Sequence, residues 1–332
     1  MNELSVKIKH PHFIGKTSSV FTVKIDNIYV SVAFGNDEAE LKFIGRKGKE
    51  KLSSLSVEVL SIIFIYMGSF PKIEAMRYNQ EVLDASALSW KYFTDNYFRK
   101  RTSVLCQIDA AHINQTAVNN YRRIRKYPLY SMQSLISEAY THTMTNHRIL
   151  LLLHVIDGLV EDNQVASCPS EIMKKYKVSV RSCDYICKLY LLCNKYFFSY
   201  HRKYNLDILS LMHISQYKYL RILTDTRNWY SHFLADKKKP DRLINGSEML
   251  ISFEIVYLIV RLYLIDKLSV PVDEERVKEF YLVLHDWIVD LNSMDRKKYK
   301  SKTYKNNVAI EEMNHMLRLI AKKQAEEIAI LS

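Results

Sequence analysis

Between residues 131 and 292, apolar side chains follow the helical period, and this pattern restricts the C-terminal part of the chain to packed helices. The predicted helices span residues 135–160, 184–205, 207–233, 247–267 and 273–292. The first contains an almost wholly apolar run at residues 149–156, which predicts a central position for it. The chain has only seven glycines and six prolines, as suits a mainly α protein with few tight turns.

The N-terminal third carries a different pattern. Residues 20–25 and 28–34 are short runs rich in β-branched and aromatic side chains, separated by Asp26-Asn27, and they predict a β-hairpin. Residues 40–44 and 104–108 predict further strands. The apolar segment 55–67 fits either a buried helix or a pair of strands, because its periodicity does not distinguish them.

These patterns divide the chain into three parts. A basic run at residues 121–127 ends at Pro128, which disfavours helix in the residue before it. We therefore predict a smaller, β-rich α+β domain at residues 1–128 and a helical bundle at residues 129–292. Residues 293–332 are predicted to form a basic linker and a C-terminal amphipathic helix.

Net charge and cysteine content indicate the type of partner and the cell compartment. The formal net charge of +12 favours an anionic partner. We expect a soluble protein that does not enter a membrane, since charged residues recur from Glu3 to Lys9 and the apolar segments are short or interrupted. Five cysteines, an odd number without secretory signals, favour the cytoplasm. Cys183 and Cys187 lack a second pair of ligands, so buried thiols are favoured over a metal site.

The candidate functional residues lie in the segment Thr-Arg-Asn-Trp-Tyr-Ser-His-Phe at 226–233. Arg227, Asn228 and His232 stand at the predicted end of a helix, where they offer a fixed cation for phosphate and a titratable ring for protons. In a structural alternative, Arg227 pairs with a carboxylate, Asn228 binds the backbone and His232 caps the helix. Spacing alone favours that alternative. A second arginine–histidine pair ends at His154, where the apolar run favours a core role.

A lysine run follows the segment. Lys237, Lys238 and Lys239 form a predicted loop beside the candidate site, and such a loop either gathers phosphates or is simply solvated.

The segment resembles the active-site motif of HEPN domains, a superfamily of helical nucleotide-binding domains and ribonucleases, and it looks closest to the ApeA-like branch. The match falls on Arg227, Asn228 and His232. A further similarity lies at residues 148–159, where an arginine, an apolar run and an acidic residue share one helix. Asp157 stands there in place of the glutamate usual in that family. With the order of the helices, the resemblance covers about residues 131–292.

The resemblance implies a metal-independent endoribonuclease that needs no cofactor and acts as a homodimer with two motifs facing each other. His232 would transfer protons, Arg227 would hold the phosphate, and Asn228 would orient the phosphate or the partner histidine. Asp157 would either anchor Arg227 or face solvent. The 2′-hydroxyl of RNA would attack the adjacent phosphorus, a reaction that DNA cannot undergo.

The ApeA-like resemblance also implies a toxin-like effector of antiviral defence, of the abortive-infection kind. Its partners would be an RNA substrate, with transfer RNA as one candidate, and a phage-derived trigger or regulatory partner sensed by the N-terminal domain. Two alternatives stay open. One is a catalytically silent HEPN module for nucleic-acid binding or assembly, and the other is a HEPN toxin controlled by a nucleotidyltransferase antitoxin.

Overall fold

A six-stranded antiparallel sheet forms the N-terminal part of the protein, and the rest of the described chain is helical. The computed structural model describes residues 1–9, 20–35, 38–67, 72–83, 112–126, 145–160, 180–231 and 246–298. The strands are β1 (Asn2–Lys9), β2 (Val20–Ile25), β3 (Ile28–Phe34), β4 (Glu38–Gly45), β5 (Lys72–Tyr78) and β6 (Glu81–Val82). The helices are α1 (Lys49–Met67), α2 (Gln115–Lys126), α3 (Thr145–Leu159), α4 (Val180–Cys193), α5 (Ser199–Tyr204), α6 (Ile208–Leu211), α7 (Gln216–Ser231), α8 (Gly246–Lys267) and α9 (Glu274–Lys298). A π-helical turn, Asn194–Phe198, joins α4 to α5.

The sheet has the strand order β2-β3-β4-β1-β5-β6, and alternating side chains on its inner face are buried. In β1, Leu4, Val6 and Ile8 are fully buried, whereas the lysines between and after them are exposed. Leu4 stands opposite Phe43 of β4, so the buried face continues across neighbouring strands. Helix α1 packs on this face, as an antiparallel sheet with one apolar face requires.

The predicted hairpin is confirmed. Strands β2 and β3 pair along their whole length, and Asp26 and Asn27 form the turn with φ angles of 50° and 64°. Two consecutive left-handed residues match the twist of the strands, which explains a two-residue turn here. The strand predicted at residues 40–44 is present as β4, and the segment 55–67 is helix. The strand predicted at 104–108 lies outside the described residues.

Helix α8 is the most buried helix of the C-terminal part. Its apolar side chains are buried all around, and it contacts α1, α2, α3, α4 and α9. Helix α3 packs along it and buries Ile149, Leu152 and Ile156, in agreement with the central position predicted for this segment. Arg261 of α8 donates to the carbonyl oxygens of Ile65 and Tyr66, at 2.9 Å each, in the last turn of α1. A cation there satisfies carbonyl groups that the helix itself leaves open.

Three helix boundaries differ from the prediction, and the first is the start of α4, which begins at Val180 rather than at residue 184. Residues 207–233 were expected to form one helix, but the chain breaks between α6 and α7, where His213 adopts a left-handed φ of 55°. Ser215 then caps α7 by accepting from the amide of Lys218 at 3.2 Å. Helix α9 continues to Lys298, beyond the predicted end at 292. The predicted boundary at 128/129 and the C-terminal helix lie outside the described residues.

An aromatic cluster fills the space between the π-helical turn, α5 and α9. The ring of His201 lies 4.0 Å from that of Phe197 and 5.6 Å from that of Tyr281, measured between centroids. Its Nε2 atom is buried and has no hydrogen-bond partner among the described residues. Burial lowers the pKa of His201 from its ordinary value of 6.5 to about 4; Asp207 opposes this shift and Arg202 adds to it.

We expect this histidine to make the fold sensitive to acid. Above pH 6.5 the imidazole is neutral in both states; below it, the unfolded chain takes up a proton that the buried ring resists, so stability falls as the pH falls toward 4. Between pH 7.5 and pH 5 the loss due to His201 is about 2 kcal/mol. Urea unfolding of wild type and His201→Asn at both pH values measures this loss of unfolding free energy. The variant should lose about 2 kcal/mol less than wild type, and equal losses would contradict the expectation.

Candidate functional site

The candidate site lies where the last two turns of α7 meet α3 and α4. Thr226 is fully buried, and its hydroxyl binds the carbonyl of Ile222, so this side of α7 faces the core. Arg227 and Ser231 are four residues apart and share the face that meets α3. Four of the predicted site residues, His232, Lys237, Lys238 and Lys239, lie outside the described residues.

Arg227 is held from three directions. Its guanidinium donates to Asp157 Oδ2 of α3 at 2.6 Å and to the side-chain oxygen of Asn228 at 3.2 Å. Its central carbon lies 4.5 Å from the ring centroid of Tyr185 of α4, which places the cation over the aromatic face. The side chain is 17% exposed. A guanidinium fixed in this way keeps one orientation, as a phosphate-binding group requires.

Asp157 has more than one cationic partner. Its Oδ2 atom accepts from Arg227, while Nζ of Lys188 lies 3.5 Å from Oδ1 and donates to the Asp157 carbonyl oxygen at 3.0 Å. The Lys188 side chain is buried. Of the two positions considered for Asp157 from the sequence, the structure has the one that contacts Arg227. Two cations share one carboxylate, so these three side chains together carry one positive charge.

The aromatic ring of Tyr185 packs against the Arg227 guanidinium. The residue is 6% exposed, and its hydroxyl donates to the carbonyl oxygen of Leu153 at 3.0 Å. Burial raises the pKa of the Tyr185 hydroxyl far above its ordinary value, so this side chain stays neutral. Its role here is to support the guanidinium rather than to transfer protons.

His154 also belongs to this cluster, although the sequence favoured a core role for it. Its neighbours Leu153 and Val155 are fully buried, but His154 itself is only partly buried. Nε2 of His154 lies 3.1 Å from the hydroxyl oxygen of Ser231. The three-residue spacing from His154 to Asp157 places both on one face of α3, a signal that was present in the sequence.

Three residues that contact the site, Tyr185, Lys188 and Ser231, were not predicted from the sequence. Tyr185 and Lys188 come from α4, and nothing in the sequence relates their positions to residue 227. The described residues contain no group of three or more histidine, cysteine, aspartate or glutamate side chains placed to hold a metal ion. Cys187 is a buried thiol, as expected, whereas the Cys183 side chain lies outside the described part.

Comparison with models of known protein families, with curated proteins and with solved structures gives no match. In the part of the chain that the structure describes, none of the helices combines the length and the hydropathy needed to cross a bilayer.

Proposed function

We propose that this protein is a metal-independent endoribonuclease of the HEPN type, acting as a homodimer in the cytoplasm as a toxin-like effector of antiviral defence. The observation that carries the proposal is the 2.6 Å ion pair between Arg227 and Asp157. It joins the two segments in which the sequence resembles HEPN domains. Contact of Asp157 with Arg227 was one of the two alternatives that the resemblance left open, and helix packing brings these two residues together across 70 positions of the chain.

The charges of the site also support a phosphate ligand. Asp157 is shared by Arg227 and Lys188, which leaves one positive charge on the three groups. Arg227 has five N–H donors, and only two hydrogen bonds engage them among the described residues. A phosphodiester would supply negative charge and acceptor oxygens in a geometry that a guanidinium matches.

The chemistry follows from these groups. A neutral His232 removes the proton from a ribose 2′-hydroxyl, and the 2′-oxygen attacks the adjacent phosphorus. The bond from phosphorus to the 5′-oxygen breaks, and a protonated His232 of the second subunit gives that oxygen a proton. Arg227 neutralises the phosphate oxygens while charge develops on them. The products carry a 2′,3′-cyclic phosphate and a 5′-hydroxyl.

The contact between Arg227 and Asn228 gives different roles to the two polar atoms of the Asn228 side chain. Oδ1 of Asn228 accepts a hydrogen bond from Arg227, so this oxygen helps to orient the guanidinium. The amide nitrogen of Asn228 is then the group left to orient the phosphate or the histidine of the second subunit. The lysines at 237–239 would attract the RNA backbone.

The products and the metal requirement test this function. We expect purified protein to cleave RNA at the same rate with and without a chelator of divalent cations. Polynucleotide kinase should phosphorylate the 5′ ends of the fragments without prior dephosphorylation, and poly(A) polymerase should extend the 3′ ends only after the cyclic phosphate is removed. Fragments with 5′-phosphates, or activity lost on chelation and restored by a metal, would contradict the proposal. His232→Ala, purified identically, controls for contaminating ribonucleases that leave the same ends.

A further inference from the structure

His154 makes a second polar contact between α3 and α7, in addition to the ion pair of Asp157. On α3, His154 and Asp157 are three residues apart. On α7, their partners Ser231 and Arg227 are four residues apart and follow in the opposite order. The helices therefore run antiparallel here, and the two contacts are separated by about one helical turn, or about 5 Å.

Two contacts constrain the helices more than one does. The ion pair with Asp157 alone would tolerate small rotations and shifts of α7, because the long arginine stem adjusts while the pair is kept. A second contact one turn away, through the short Ser231 side chain, removes much of that freedom. The orientation of Arg227 thus depends on the contact between His154 and Ser231 as well as on Asp157.

The surroundings of His154 fit this role better than a core role. The apolar side chains of α3 at positions 152, 153, 155 and 156 are buried, whereas His154 stands on the polar face together with Asp157. An apolar residue would pack equally well at a position whose only task was to fill the core. The imidazole is able to accept from the Ser231 hydroxyl in one tautomer and to donate to it in the other.

We propose that His154 is a positioning residue of the candidate site, which through Ser231 fixes the last turn of α7 and with it the Arg227 guanidinium. Its catalytic consequence rests on the proposed ribonuclease function. His154 acts through Ser231 and Arg227, and the proposal does not require it to touch RNA.

Three single variants and one double variant test the positioning role. His154→Leu and Ser231→Ala each remove the contact, whereas His154→Gln keeps an amide near the position of Nε2 that donates and accepts. We expect His154→Leu and Ser231→Ala to lower kcat about tenfold with little change in KM, since misplacing a substrate-binding group by about 1 Å costs up to about a hundredfold. His154→Gln should restore kcat to within about threefold of wild type, as retention of the contact implies. The double variant His154→Leu/Ser231→Ala should be no slower than the slower single variant, because both remove the same contact.

Hydrogen exchange separates failure of this proposal from failure of the proposed function. Amides of residues 227–231 should exchange faster in His154→Leu and Ser231→Ala than in wild type, and at the wild-type rate in His154→Gln. His285→Leu, which changes a partly exposed histidine of α9, is the matched control and should alter neither exchange nor cleavage. If wild type does not cleave RNA, the ribonuclease function fails, and faster exchange in the first two variants still supports the positioning role. Unchanged exchange, or unchanged kcat in an active enzyme, overturns the role of His154.

Discussion

Replacing His232 with alanine should lower RNA cleavage by at least about a hundredfold while the protein stays folded, within the range of about 10²–10⁴ for loss of a positioned acid or base. Among Arg227, Asn228 and His232, the imidazole of His232 is the side chain whose ordinary pKa allows it to take up and release protons near neutral pH. The contacts of Arg227 with Asp157, Asn228 and Tyr185 do not involve position 232, so this part of the candidate site should persist. Single-turnover cleavage of an end-labelled RNA measures the rate, and circular dichroism checks the fold.

Two controls test whether the loss of cleavage is specific to His232 and to the 2′-hydroxyl of the substrate. His285→Ala removes another histidine, on α9, whose described polar contact is with its neighbour Asp286, and it should cleave like wild type. A substrate with one 2′-deoxyribose at the scissile position lacks the nucleophile, so the wild-type protein should leave that bond intact. Equal cleavage by wild type and His232→Ala would remove His232 from the mechanism. Absence of cleavage by both, with RNA binding retained, would instead favour a catalytically silent binding module.

The N-terminal sheet shows how far local patterns carry a fold prediction. The hairpin was predictable because both runs and the two turn residues are adjacent in sequence. Strand β1 was missed although Leu4, Val6 and Ile8 alternate with polar residues, a signal as clear as that of β3. Its place between β4 and β5 was not predictable, since it depends on pairing with strands about 40 and 70 residues away.

The candidate site was also only partly predictable from the sequence. The spacing of Arg227 and Asn228 and the acidic residue at 157 were visible in the sequence, and the resemblance predicted that two of these side chains could meet. Tyr185 and Lys188 were not predictable, because their place beneath and beside the pair arises from the packing of α4 against α3 and α7. Side chains that support a site from a third helix carry no local pattern that marks them.

The junction between the sheet and the helices depends on a second charged cluster, centred on Arg122 of α2. Its guanidinium binds both oxygens of Glu58 of α1, at 3.0–3.2 Å from Nε, and lies 2.6 Å from Asp26 of the hairpin turn. The Glu58 side chain is only 6% exposed. Hydrogen bonding to Arg122 lowers the pKa of Asp26 below its ordinary value, so the Asp26 carboxylate is charged at neutral pH. On the same helix, Asn120 donates to the carbonyl oxygen of Leu268, which follows α8.

Arg122→Met should therefore destabilise the protein by about 3 kcal/mol, at the lower end of the range for breaking a buried ion pair because Arg122 is 31% exposed. The methionine keeps the apolar stem but leaves the buried Glu58 carboxylate without its bidentate partner. Urea unfolding at neutral pH measures the change, and Arg123→Met, on the exposed side of the same helix, should change stability by less than about 0.5 kcal/mol. In Arg122→Met/Glu58→Gln the buried carboxylate that lost its bidentate partner is replaced as well, so the double variant should be more stable than the sum of the single effects predicts. Additive effects, or a loss below about 1 kcal/mol for Arg122→Met, would show that solvent compensates Glu58 and that α2 is held to α1 by apolar packing alone.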